Sequence, residues 1–286
     1  MASQFADTTW PVLLRAWLIV LACVSAAPAA AKSPGEIFSG HTAGSAARVD
    51  HAAFDDLLKS YVVAGGDGIA RVDYTRFKSE GHAALKSYIA ALAATDVAAL
   101  DRPEQFAFWA NLYNAKTLDI VLDRYPVRSI KDISLGGGLL AAVTGGPWKA
   151  KVVKVGGVDL SLDDIEHGIL RPNFKDPRVH YAVNCASIGC PNIGTEAFTG
   201  ARLEAQLDAA ARAFINHSRA ASVTADGLVV SSIYSWFQSD FGGTDAGVVT
   251  HLKSFAEDQL SAKLESVSEI ADHRYDWSLN DTRATP

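Results

Sequence analysis

The chain is short of several signatures, and each shortage excludes something. It has three cysteines, Cys23, Cys185 and Cys190, and no Cys-x-x-Cys pair, so the compact redox motif is missing. No phosphate loop, Rossmann glycine fingerprint or Gly-x-Ser-x-Gly elbow occurs, which argues against a nucleotide-dependent enzyme. No basic stripe appears, and the formal charge is −6, so neither nucleic acid nor an anionic membrane is an expected partner. No repeat of solenoid length is visible. Beyond residue 32, no apolar run approaches the roughly 20 residues that a membrane span needs.

The first apolar run is also too short to span. Arg15, the one basic residue before Lys32, precedes the run 16–27, and Ala29-x-Ala31 fits a small-x-small cleavage site. Residues 1–31 therefore read as a signal peptide, and the expected location is periplasmic or secreted. Cys23 sits in a poor lipobox; lipidation there and an N-terminal segment that stays attached as an anchor are the alternatives that would hold the chain on a membrane. Two cysteines remain after cleavage, five residues apart, and in an oxidising compartment they could pair.

The chain is 49% hydrophobic and 20% charged, as folded globules are. Residues 32–47 are small, polar and punctuated by Gly and Pro, and read as a flexible leader. One globular domain is expected over 48–280, with a tail over 281–286. Phe54, Leu57, Leu58 and Tyr61 have helical spacing within 49–63, and a second helix is expected over 82–94. Residues 104–125, between Pro103 and Pro126, are apolar nearly all round and predict a buried central helix. Two triplet or doublet glycine runs, 136–138 and 145–146, bracket a flexible or hairpin-like stretch. Residues 149–160 alternate about Gly156-Gly157 and predict a hairpin, and 222–230 another with Asp226-Gly227 at its turn. Ser161-x-x-Asp164 opens a short helix, 178–184 reads as a strand, and Thr199 is placed to cap a helix over 200–217. Helices are expected again near 232–241 and 245–264. The class is α+β: a helix-rich single domain with short antiparallel strands and hairpins, of a thiol-protease or transglutaminase-like kind.

Three places are odd for a scaffold. Asn111 and Asn114 share one face of the apolar helix, so their amides either fasten neighbouring loops or point into a site. Glu166 and His167 lie in the short capped helix, where His167 offers a proton carrier titrating near neutrality. Adjacent helical residues diverge by about 100°, so Glu166 is expected to serve another partner. Cys185 follows the expected strand, where a thiolate would be a competent nucleophile. Strand alternation puts His180 on the face opposite Cys185 and favours His167 as the partner. Cys185, Cys190, His180 and His167 match no common zinc spacing, and no metal or cofactor is expected.

Four stretches carry a resemblance: 108–114 (FWANLYN), 164–171 (DIEHGILR), 176–187 (DPRVHYAVNCAS) and 275–280 (YDWSLN). Together they resemble the domain of unknown function 547 family, which occurs in exported bacterial proteins and in plant proteins with N-terminal coiled coils. The resemblance covers roughly residues 50 to 280. It implies weight on Trp109, Asn111, Asn114, Glu166, His167, Arg171 and Cys185, and on Cys185 more than Cys190, which some members replace by serine.

The leading expectation is a cysteine-dependent hydrolase or acyl transferase acting on an amide, peptide or thioester bond. Cys185 would be the nucleophile, His167 the base, and Asn111 or Asn114 the group that orients the imidazole or holds an oxyanion. Glu166 would support the site, with Trp109, Arg171 and His180 facing a small-molecule or peptide substrate. The alternative is a non-catalytic binding or scaffold module with a structural Cys185–Cys190 disulfide.

Overall fold

The computed structural model describes Met1, residues 32–135 and residues 146–283. The expected signal peptide, Cys23 with its lipobox, the glycines at 136–138 and Gly145 lie outside the described residues.

Helix α1 (Ala52–Tyr61) buries Phe54, Leu57, Leu58 and Tyr61, the residues at helical spacing. It runs into an antiparallel hairpin, β1 (Val62–Ala64) with β2 (Ala70–Val72), whose turn needs the positive φ of Gly68 (78°). Helix α2 (His82–Ala93) buries Leu85, Tyr88, Ile89 and Leu92 and packs along α3 (Arg102–Arg124). The α3 helix starts sharply because the Asp101 carboxylate accepts the Glu104 N–H at 3.0 Å, with Pro103 in the first turn. Every residue from 104 to 115 is buried, so α3 is the axis of the domain. Each large apolar side chain it hides stabilises the fold by about 1.5–3 kcal/mol.

The second hairpin pairs β3 (Val153–Val155) with β4 (Val158–Leu160) around Gly156-Gly157. The third, β5 (Ala221–Thr224) with β6 (Gly227–Ser231), gains a partner, because β7 (Ile270–Arg274) joins β6 in parallel. Two hydrophobic cores result. The larger surrounds α3; the smaller is built by α4 (Leu203–Ile215), β5, β6 and α5 (Asp245–Phe255) around Phe214, Leu228, Tyr234, Phe241 and Leu252. The structure from Lys32 onward is one compact, helix-rich α+β unit.

Four expectations change. Residues 178–184 are not a strand: Val179–Ala182 is one turn of helix, seeded where the Asp176 carboxylate accepts the Arg178 N–H at 2.8 Å. This turn sends Val179 and Ala182 into the larger core and Tyr181 into the smaller. The leader is docked rather than flexible. Ser33 and Glu36 form a reciprocal capping box, Phe38 meets Trp109 edge-on at 4.9 Å, and the Gln105 amide donates to Gly40 O at 2.7 Å. Thr199 gives no side-chain cap; a 3-10 turn over Gly200–Arg202 leads into α4 instead. The tail is part of the fold at least to Asp281, whose carboxylate accepts the Tyr125 hydroxyl at 2.6 Å.

Candidate functional site

The two α3 asparagines act on backbone. Asn111 donates from Nδ2 to Phe198 O at 2.8 Å and accepts the Phe198 N–H at 2.9 Å. Asn114 donates to Ala182 O and accepts the Asn184 N–H, both at 2.8 Å. Each amide is thus satisfied at both ends, and neither orients an imidazole or holds an oxyanion. Trp109 is also corrected: fully buried, it packs on Phe38 and Phe108 and does not face the cleft described below.

What Asn114 fixes is the base of the cysteine loop. Asn184, anchored by it, donates to Pro191 O at 2.7 Å and accepts the Ala186 N–H at 2.8 Å. Ala186 is held in the left-handed region (φ 58°), which costs a non-glycine residue roughly 1–2 kcal/mol. Within this loop Cys185 and Cys190 are joined as a disulfide, their Cα atoms 6.3 Å apart. In this state Cys185 is neither a free nucleophile nor a metal ligand.

The C-terminal strap closes over the sulfurs. Ile188 N–H donates to Ser278 O and Gly189 N–H to Asp276 O, each at 2.8 Å. The strap brings the Tyr275 hydroxyl to 3.0 Å from Cys185 Sγ, 3.1 Å from Cys190 Sγ and 2.9 Å from Ser187 Oγ. Burial pushes the Tyr275 phenol up, so it stays a proton donor at neutral pH.

Both sulfurs line a cleft of about 210 Å³. Its ionisable lining is Lys149, Asp163, Glu166, His167 and His180; its walls include Tyr113, Trp148, Trp236, Phe237, Tyr275 and Trp277. Glu166 and His167 lie on a π-helical turn, Asp164–Leu170, entered through the reciprocal Ser161–Asp164 box. Wide turns of this kind recur at functional sites. Gly35 of the docked leader lies against the carbonyl of Gly168, where a Cβ would collide.

The two histidines differ sharply. His180 is buried, stacked on Phe237 at 4.3 Å, with Nε2 on Asp240 Oδ2 at 2.8 Å and Nδ1 3.7 Å from Glu166 Oε1. Burial alone would lower its pKa, but the Asp240 and Glu166 carboxylates outweigh that and raise it. The His180 hydrogen bond, then Arg171, hold Asp240 well below the usual carboxylate range. Burial would raise Glu166, yet His180, His167 and Tyr113 bring it below its ordinary value. His167 is exposed, with Nδ1 3.8 Å from Glu166 and Nε2 4.0 Å from Asp163, so no carboxylate lies within hydrogen-bond distance. The opposite-face argument for His167 therefore fails with the strand it rested on, and His180 shares the cleft with Cys185.

Arg171 faces Asp240, not the cleft, through bonds of 2.6 and 2.9 Å, and its guanidinium lies over Phe237 at 4.9 Å.

The long helix, the π turn and the cysteine loop form one continuous stretch of chain. Residues 97–215 match the family described as protein of unknown function, DUF547. The DUF547 match spans Tyr113, Trp148, Asp163, Glu166, both histidines and both cysteines. Trp236, Phe237, Asp240, Tyr275 and Trp277, which complete the cleft, lie outside it. No curated protein and no solved structure matches the chain.

Sequence reading missed Asp240, Tyr275, Ser187, Asp163 and the indole wall as site residues. For Tyr275 and Trp277 a signal existed in the 275–280 stretch, and Ser187 is two residues from Cys185. Asp240 is 60 residues from His180 and had none. A separate cluster, His82, Asp119 and Asp123, has metal-ligand geometry. There the Lys86 and Lys116 ammonium groups already bind the two Asp119 oxygens at 2.7 and 2.6 Å.

Proposed function

We propose that the cleft is the active site of an exported thiol hydrolase or acyl transferase acting on an amide, peptide or thioester bond. Cys185 is the nucleophile, and the Cys185–Cys190 bridge is its resting, oxidised form. The observation that carries this reading is His180: it lines the same cleft as Cys185 and is oriented by Asp240 at 2.8 Å. A nucleophile, an imidazole and a third group that fixes the imidazole are what thiol catalysis requires.

A dithiol reductant would deliver two electrons and two protons to the bridge, giving two thiols and a reductant disulfide. The Cys185 thiol then gives its proton to His180 Nδ1, the ring nitrogen not bonded to Asp240, and Asp240 and Glu166 stabilise the imidazolium. The thiolate attacks the acyl carbon, a thioester forms, and the leaving amine takes the proton from the imidazolium. Water or a second nucleophile releases the acyl group. Tyr275 and Ser187 are placed to donate hydrogen bonds to the thiolate, which lowers a thiol pKa. An oxidising compartment outside the cytoplasm suits a protein that rests with this bridge closed.

The test is the alkylation rate of Cys185 against pH in the reduced protein. A midpoint well below the ordinary value of about 8.5 is expected, moving upward in His180→Gln. An ordinary midpoint unaffected by that variant overturns the reading. The second reading, a binding module with a permanent bridge, is favoured by the bridge itself and by asparagines that bond only backbone. Under it, reduction leaves ligand binding unchanged and yields no turnover.

A further inference from the structure

Asp163 has no task in the scheme above. Its carboxylate lines the cleft and makes no hydrogen bond among the described residues; the cations that act on it are His167, with Nε2 4.0 Å away, and more weakly Lys149. It gives no side-chain cap to the π turn it precedes. Burial raises its pKa, the direction expected of a carboxylate short of partners.

Its position beside the indole wall is fixed through the main chain, since the Asp163 N–H donates to Trp148 O at 3.0 Å. The Trp148 ring meets Trp277 edge-on, and Trp277 stacks on Trp236, both at 5.6 Å between centroids. Trp236 is 48% exposed. A lone exposed aromatic needs no explanation. Three indoles gathered beside an unsatisfied carboxylate do, because ring faces and a carboxylate attract the same kind of group. Lys131 already rests on the Trp277 ring at 5.1 Å, so this wall takes an ammonium in the protein itself. Lys149, the one lysine of the lining, is exposed and acts on Asp163 less than His167 does.

We infer that the cleft is selective for a substrate carrying an ammonium group, held between Asp163 and the Trp148–Trp277–Trp236 wall. This rests on the cleft being the substrate site, and it names the substrate class: acyl compounds with a free amine near the bond attacked.

The experiment uses the oxidised wild-type protein, whose bridged Cys185 cannot react, so binding is read apart from chemistry. Indole fluorescence is titrated with butylammonium chloride and, at matched ionic strength, with neutral butanol. Butylammonium is expected to bind at least about fivefold more tightly. Asp163→Asn should bring the two probes together, and Trp236→Ala should weaken butylammonium without unfolding the protein, as circular dichroism would check. Equal affinities, no saturation by butylammonium, or a preference that survives Asp163→Asn overturns the inference. An ordinary Cys185 alkylation midpoint with the ammonium preference intact would remove the thiol chemistry and leave the subsite standing.

Discussion

The buried amides of α3 and the buried ionisable groups of residues 161–191 are used in opposite ways. On α3, Gln105, Asn111 and Asn114 bond to main-chain groups of other segments: Val97 and Gly40, Phe198, and Ala182 with Asn184. In 161–191, Glu166, His180 and Cys185 meet other side chains and line a cleft. A buried amide can satisfy two backbone groups at once and becomes a fastener. A carboxylate or imidazole in the same setting changes its protonation, and so can carry chemistry. The helix holds the irregular segment in place, and the irregular segment carries the groups of the proposed chemistry.

Breaking the fastening side should cost most. Trp109→Ala removes a fully buried indole packed between Phe38 and Phe108 and is expected to lose about 3–5 kcal/mol in urea unfolding. Asn114→Ala comes next. It strands the Ala182 carbonyl and the Asn184 N–H in a buried place, for a loss of about 2–4 kcal/mol. Asn111→Ala should lose less, because its partner Phe198 is only partly buried. The comparison becomes sharp in iodoacetamide labelling of the reduced variants. Asn114→Ala should alter Cys185 reactivity and Asn111→Ala should not; equal effects would mean that the fastener and the cysteine loop are uncoupled.

The helical side was legible in the sequence because its signals are local. Pro103, Pro126 and continuous apolar residues mark α3, and the paired glycines mark the hairpin at 156–157. The Ser161–Asp164 spacing marks a capping box. The site was legible as a list of residue types and not as a geometry. The 178–184 stretch has the composition of a strand, but Asp176 and the grip of Asn114 on Ala182 turn it into helix, and both are tertiary or near-tertiary effects. Asp240 reaches His180 from 60 residues away, and the 275–277 strap reaches the sulfurs from farther still. Nothing periodic encodes such contacts. The docking of the leader was hidden similarly, since Phe38 is one aromatic residue in a polar, glycine-rich run.

The acid–base side can be broken with pH. His180 is raised in the fold, so its contribution to stability is complete below the unfolded value of about 6.5 and is lost as pH rises through its folded value. His251, bonded to the Tyr181 hydroxyl at 2.8 Å, is lowered by burial to about 4. Its contribution runs the other way: it is complete above about 6.5 and fades as pH falls towards 4. Stability should therefore peak near pH 6.5. His180→Gln should flatten the alkaline limb and leave the acid limb, while His251→Gln should make the acid limb shallower without abolishing it, because burial lowers His51 as well. Chemical denaturation from pH 4.5 to 9 reads both limbs, and an alkaline limb that survives His180→Gln would show that its carboxylate partners do not hold it charged.

The smallest expected effect on stability lies where the two sides meet. Tyr275→Phe keeps the ring among Trp236 and Trp277, at 4.8 and 4.6 Å, and deletes only the hydroxyl shared by Ser187 and both sulfurs. A loss of about 1 kcal/mol is expected, the usual net worth of a hydrogen bond. The effect on the thiol should be disproportionate. In the reduced protein the phenol remains protonated and donates towards Cys185, so its removal should raise the midpoint for Cys185 alkylation. A fastener would show the stability loss without that shift, as Asn111 should. A group belonging to the chemistry would show the shift almost without the loss. Tyr275 lies outside the DUF547 match, so a shift on its removal would mean that the functional unit extends beyond residues 97–215 to the C-terminal strap.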